Sequence, residues 1–183
     1  MNIISTKFEG LFVLEPTVFE DHRGFFMESY NSKLLSNHGI NHSFVQDNQS
    51  KSTYGVLRGL HFQNPPYAQT KLIRALSGSI LDAVVDIRKS SKTYGQSFSI
   101  ELSAKNKKQL LVPQGFAHGF SVLSDTAEIL YKCDSYYNKQ SEGGLIYNDD
   151  AFGIDWGIPE SKVILSEKDK LNIPFAEFNS KFD

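Results

Sequence analysis

Between residues 46 and 74 the chain reads QDNQSKSTYGVLRGLHFQNPPYAQTKLIR, and three of its side chains could move a proton next to a carbonyl. His61 can act as a base near neutral pH. Arg58 and Lys71 bracket it, and a lysine and an arginine near a histidine form a cationic pocket that can stabilise an enolate. Downstream, PQGFAHGF (113–120) supplies His118 from a tight glycine turn. A lone histidine is more often a satisfied core residue than a base. The company of Arg58, Gln63 and Lys71 at these spacings argues for a site. The two stretches are expected to face each other across the mouth of a β-barrel.

Holding such groups in place takes a rigid frame, and the sequence reads as mostly strand. Leu11 to Val18 reads as a short strand bent at Pro16. FEDHRG then has turn chemistry, and Phe25 to Tyr30 resumes a strand. NSKLLSNHG (31–39) predicts one short helix, with Asn31 or Ser32 as N-cap and Gly39 as its end. From there to Cys133, apolar segments are broken by NPP, SG, SSKTYG, AKNKK and PQG. The clearest strand, Ile80 to Ile87, puts Leu81, Ala83, Val85 and Ile87 on one face. The other face carries Ile80, Asp82, Val84 and Asp86. Two carboxylates on one face suit either solvent or a polar cavity, and the alternation does not choose between them. From Glu142 the chain turns loop-rich and ends in FAEFNSKF, read as a possible short helix. These features predict an all-β fold, a jelly-roll β-barrel with an N-terminal strand extension and short peripheral helices. No linker or internal repeat interrupts residues 1–183, which read as a single domain.

Composition narrows the function classes. A formal net charge of −2 over 183 residues offers no broad basic surface for nucleic acid. Cys133 stands alone, so no intrachain disulfide forms, and nothing calls for an oxidising compartment. No basic-then-apolar leader and no run of roughly 20 apolar residues is present, which predicts a soluble cytoplasmic protein without a membrane partner.

Gly55, His61, Gln63, Lys71 and Gly78 follow the pattern G-x5-H-x-Q-x7-K-x6-G, which resembles the first cupin motif. Pro113, Gly115 and His118 resemble the second. In metal-binding cupins the four positions held here by His61, Gln63, Lys71 and His118 ligate a divalent metal. A protonated lysine offers no lone pair and adds positive charge, so no metal is expected.

Longer stretches carry a more specific likeness. FEDHRGFFMESY, QDNQSKSTYGVLRGLHFQ, TKLIRALSGSILDAVVDIRKSSKTYG, LVPQGFAHGFSVLS, AEILYKCDSYYN, EGGLIYND and LSEKD resemble, in order, the motifs of the dTDP-4-dehydrorhamnose 3,5-epimerase family. The resemblance implies a cofactor-free isomerase acting on a dTDP-4-keto-6-deoxy sugar. In it His61 would remove protons from C3 and C5, made acidic by the C4 carbonyl. Lys71 would stabilise the enolate oxygen. Asp169 would pair with His61; read alone, between Lys168 and Lys170, it is a surface charge. Tyr131 would return the proton from the opposite face, with Tyr136 and Tyr137 close enough in sequence to stay open as alternatives. Arg23, Glu28, Gln46, Asp47, Asn48, Arg58, His118, Glu142 and Lys168 would bind the substrate, arginine suiting a diphosphate by its planar fork. Phe19 and Phe26 are candidates for the base, although core packing is the commoner use of either. The family's nucleotide pocket is completed by an adjacent subunit, which implies a homodimer. Tyr147, where a tryptophan is common, and Ala75, in place of a valine, depart from the pattern without touching a proposed catalytic group. Readings kept beside this one are a single-carbon epimerase, a metal-dependent cupin and a non-catalytic sugar-nucleotide-binding barrel.

Overall fold

The computed structural model describes residues 1–183. The chain opens with β1 (Asn2–Ser5), β2 (Phe12–Glu15), β3 (Val18–Asp21), β4 (Gly24–Met27) and the helix α1 (Ser32–Ser36). β5 (Gln46–Thr53), β6 (Leu57–Gln63), β7 (Lys71–Ser77) and β8 (Ser79–Asp86) follow. β9 (Ser97–Ser103), β10 (Gln109–Val112), β11 (Phe116–Val122), β12 (Thr126–Cys133) and β13 (Glu142–Gly144) complete the strands.

The fold is all-β. A six-stranded sheet in the order β1-β2-β10-β7-β12-β5 packs on a five-stranded sheet in the order β13-β6-β11-β8-β9. Both are antiparallel, and they remain two open sheets rather than the closed barrel that the strand pattern suggested. Between them lies an apolar core of Phe8, Leu11, Ile73, Ile80, Val84, Leu102, Leu110, Phe120 and Ile129, among others. Strand alternation explains this: Ile80 and Val84 point into that core, while Ala83, Val85 and Ile87 point to the outer face. The C-terminal segment covers that outer face with Phe152, Trp156 and Phe182. On the far side of the molecule, Leu35 and Ile40 from the α1 region cover Leu14, Leu72 and Leu111. The asymmetry decides the carboxylate question left open above. Asp82 and Asp86 face inward and are fully buried.

Several boundaries differ from the sequence reading. β2 ends before Pro16 and β3 begins at Val18, because proline has no N–H to give the ladder. The helix is only five residues long. Asn31 caps it by accepting the Leu34 N–H at 3.0 Å, and Gly39 closes the following turn at φ +77°. FAEFNSKF forms a single 3-10 turn, Phe175–Glu177, since Phe175 and Phe178 are drawn into the outer apolar layer instead. β3 and β4 pair only with each other, as a hairpin separate from both sheets. No helix is long and apolar enough to cross a membrane.

Candidate active site

A cavity of about 520 Å³ opens between the sheets, lined by Arg58, His61, Lys71, His118, Tyr131, Lys168 and Asp169 among others. Its floor is continuous with the apolar core through Ile73, Phe120 and Ile129. His61 and His118 do not face each other across the mouth as expected. They sit side by side on hydrogen-bonded neighbours, His118 in register with His61 on β11 and β6. The groups that face them are Lys71 and Tyr131, on β7 and β12 of the other sheet.

β6 places its side chains by breaking its own alternation. Residues three apart on a regular strand point to opposite faces. Here the register shifts between His118 and Phe120, so that Arg58 opposes Phe120 and His61 opposes His118. The extra residue is a bulge that re-aims the strand and brings Arg58 and His61 to one face. Gly59 permits it: its φ is +138°, and a Cβ there would lie 2.5 Å from Gly119 Cα.

His61 Nε2 donates to Asp169 Oδ1. Asp169 is 108 residues away and reaches the ring because the C-terminal segment is stitched to the start of β6. Leu57 N–H donates to Ile164 O at 3.0 Å, Ile164 N–H to Gly55 O at 2.8 Å, and Asn172 Nδ2 to Gly59 O at 3.2 Å. Asp169 is 6% exposed, and its own N–H donates to Ser166 Oγ at 3.1 Å. Burial works against its charge, but the hydrogen bond and charge of His61, with Ser166 and Lys168, outweigh it and hold the carboxyl below its ordinary value. With Nε2 committed to Asp169, Nδ1 is the nitrogen free to take a proton.

Loss of hydration lowers Lys71 from the ordinary lysine value, against the opposing charges of Cys133, Asp82 and Glu142. Burial pushes the Tyr131 phenol above 10.0, Cys133 adds to this and Arg58 opposes it, so the phenol keeps its proton at neutral pH. Tyr136 and Tyr137 are 68% and 55% exposed and do not line the cavity.

The remaining sequence candidates separate into three groups. Arg58 and His118 line the cavity; Arg58 donates to Ser52 Oγ at 3.1 and 3.3 Å, and His118 Nε2 donates to Asp82 Oδ1 at 2.7 Å. Lys168 also lines it and is paired with Glu142 at 2.6 Å. Gln46 and Asn48 share the face of β5 that carries Ser50 to the cavity wall, and Asn48 Nδ2 lies 3.6 Å from Cys133 Sγ. The chain does not bring Asp47, Arg23 or Glu28 to that space. Asp47 points to the outer face of the sheet and pairs with Lys132 at 3.0 Å, as alternation between Gln46 and Asn48 requires. Arg23 sits at the tip of the β3–β4 hairpin, paired with Asp21, and Glu28 accepts from Asn31 Nδ2 at 2.9 Å.

The set of four cupin positions does not fit a divalent metal. Gln63 is spent as a crosslink, its Oε1 accepting the Asn138 N–H at 2.7 Å and its Nε2 donating to Tyr67 O at 2.6 Å. Both histidines give Nε2 to carboxylates, and the fourth member is lysine. Sequence reasoning missed Asp82 as a member of the site. Its signal was the carboxylate face of β8, which alternation alone could not orient.

Known proteins share this arrangement of chain. The family model for dTDP-4-dehydrorhamnose 3,5-epimerase matches residues 5–177. The enzyme of that name from Shigella flexneri is 52% identical over 170 residues, covering 92% of this chain and 93% of its own. The crystal structure of the enzyme from Elizabethkingia anophelis superposes with a TM-score of 0.93 at 52% identity, over 98% of both chains. That of the Legionella pneumophila epimerase, in complex with dTDP-4-keto-L-rhamnose, gives 0.92 at 45% identity over 97% of this chain and 94% of that one. The chain is a member of the dTDP-4-dehydrorhamnose 3,5-epimerase family.

Proposed function

We propose that the protein inverts C3 and C5 of dTDP-4-keto-6-deoxy-D-glucose, giving dTDP-4-keto-L-rhamnose for activated L-rhamnose synthesis. One observation carries the mechanism: His61 and Tyr131 line one cavity from opposite sheets. A sugar ring held between the sheets presents one face to the imidazole and the other to the phenol, which is what inversion of a carbon requires.

The steps follow from the side chains. His61 Nδ1 takes the proton from C3 or C5, and the electron pair moves into the C4 carbonyl to form an enolate. Asp169 holds the ring and balances the imidazolium that results. Lys71, with Arg58 nearby, stabilises the enolate oxygen. Tyr131 then gives its proton to the opposite face of the same carbon. Solvent removes the proton from His61 and restores that of Tyr131, so each inverted carbon acquires a solvent proton. No metal or cofactor enters the sequence.

Arg58 and Lys168 supply the cationic side for the diphosphate, His118 lines the same cavity, and Gln46 and Asn48 extend the wall. Arg23, with the exposed Phe19 and Phe26 paired on the hairpin, has no role in its own protomer's cavity. A homodimer in which the hairpin meets a second copy gives these residues a use and completes the nucleotide end. Residues 1–183 work as one domain, because the C-terminal segment supplies Asp169 to a base on β6. The lone buried Cys133 suits a cytoplasmic enzyme.

Incubation with dTDP-4-keto-6-deoxy-D-glucose in deuterated water, followed by NMR, tests the reading. Label at both C3 and C5 in wild type, absent in His61→Ala, is the expected result. Label at one carbon only would replace it with a mono-epimerase.

A further inference from the structure

We propose that Asp82 is a positioning residue of the site: one carboxylate oxygen aims the His118 ring and the other supplies the counter-charge of the Lys71 ammonium. Asp82 is fully buried on the inner face of β8. Its Oδ1 accepts from His118 Nε2 at 2.7 Å, while Oδ2 is buried without a hydrogen-bond partner. A buried carboxylate oxygen left unpaired is costly, so a fold that keeps one needs a compensating charge close by. Lys71 is the candidate. It enters no salt bridge in the chain. The acidic groups whose charge bears on it are Cys133, Asp82 and Glu142.

Those groups differ in what they can do. Cys133, opposite Lys71 in register, is a thiol that burial keeps protonated, so it contributes little charge at neutral pH. Glu142 is already paired with Lys168. His61, Arg58 and Tyr131 also share the cavity with Lys71, and His61 carries its own carboxylate, Asp169. Asp82 alone combines full burial with an unpartnered oxygen. The site then contains two histidine–carboxylate pairs on neighbouring strands. Asp169 serves the base, and Asp82 serves the cation that receives the enolate.

The purpose of this arrangement rests on the epimerase reading, but its test does not depend on turnover. Protein carrying 13Cε-labelled lysine is titrated by NMR, with the Lys71 signal identified by its loss in Lys71→Met. Replacing Asp82 by Asn is expected to lower the proton affinity of Lys71 about tenfold or more. The alkaline limb of kcat/KM is expected to move to lower pH in parallel. Asp82→Ser, which leaves room for water, carries the same expectation if the amide does not fold. An unchanged Lys71 titration in a folded Asp82 variant overturns the proposal and leaves Asp82 as a support for His118 alone. A wild type without epimerase activity whose Lys71 titration still responds to Asp82→Asn would reject the functional reading and keep the coupling.

Discussion

Asp169→Asn is the substitution whose effect the geometry defines best. The amide has the shape of the carboxylate but not its charge, and it can present either oxygen or NH2 to His61 Nε2. Two losses follow. A hydrogen bond to a charged group is worth about 1.5–3 kcal/mol and a neutral one about 1 kcal/mol, so the charge accounts for about 0.5–2 kcal/mol. The His61 side chain is 35% exposed, and solvent screening holds this to the lower end. The second loss is of tautomer, since an amide NH2 donating to Nε2 leaves the proton on Nδ1, the nitrogen required as base. Together these predict a fall in kcat of about 10²-fold. Deuterium wash-in at C3 and C5 measures it, with circular dichroism as the control for folding. A folded variant within twofold of wild type would refute the assignment of Asp169 as partner of the base. Stability gives an independent check. Asp169 is lowered from 3.8 on folding, so its contribution is complete above that pH and is lost as pH falls through the lower folded value. The gap in melting temperature between wild type and variant is therefore expected to close in strong acid.

Other expectations follow from the same structure. Gly59→Ala puts a Cβ 2.5 Å from Gly119 Cα and 3.0 Å from His118 O at a φ of +138°, and should cost about 3 kcal/mol or more in urea unfolding. An unshifted midpoint would mean that the bulge on β6 is not under this constraint. Lys71→Met should lower kcat by about 10²–10³-fold at a temperature where circular dichroism shows the variant folded. A folded variant within twofold of wild type would remove Lys71 from the enolate oxygen. If the hairpin forms the proposed homodimer, wild type should run as a dimer in light scattering and Phe26→Glu, at a residue 70% exposed on the hairpin, as a monomer. An unchanged mass would remove the hairpin from the interface.

How far the site can be read from sequence depends on how its parts are joined. His61, Arg58 and Lys71 lie within one short stretch, and residue type and local spacing are enough to suggest a base beside cations. Their relative placement was not legible. It depends on a bulge at Gly59 and on the register of β6 with β11, which put the two histidines side by side and Lys71 across from them. Asp169 is invisible to local reasoning, because bridges such as Val56 to Ile164 carry it to His61 through tertiary contacts alone. Only the likeness to the family's motifs marked it. The strand pattern was sufficient for an all-β fold, but whether the sheets close depends on pairing across the chain. Asp82 shows the same limit from the other side. Its alternation was plain, and its direction was set by Phe152, Trp156 and Phe182, which cover the opposite face of the sheet.

In the proposed mechanism base and acid act from opposite faces of the sugar, and Tyr131→Phe separates the two. The variant is incubated with dTDP-4-keto-6-deoxy-D-glucose in deuterated water, and label and configuration at C3 and C5 are read from the same NMR sample. With the phenol gone, His61 can still remove a proton and return a deuteron to the same face. The expected result is label with retained configuration, so that exchange persists while inversion falls steeply. Exchange and inversion that survive together at wild-type ratio would contradict it and place the acid elsewhere.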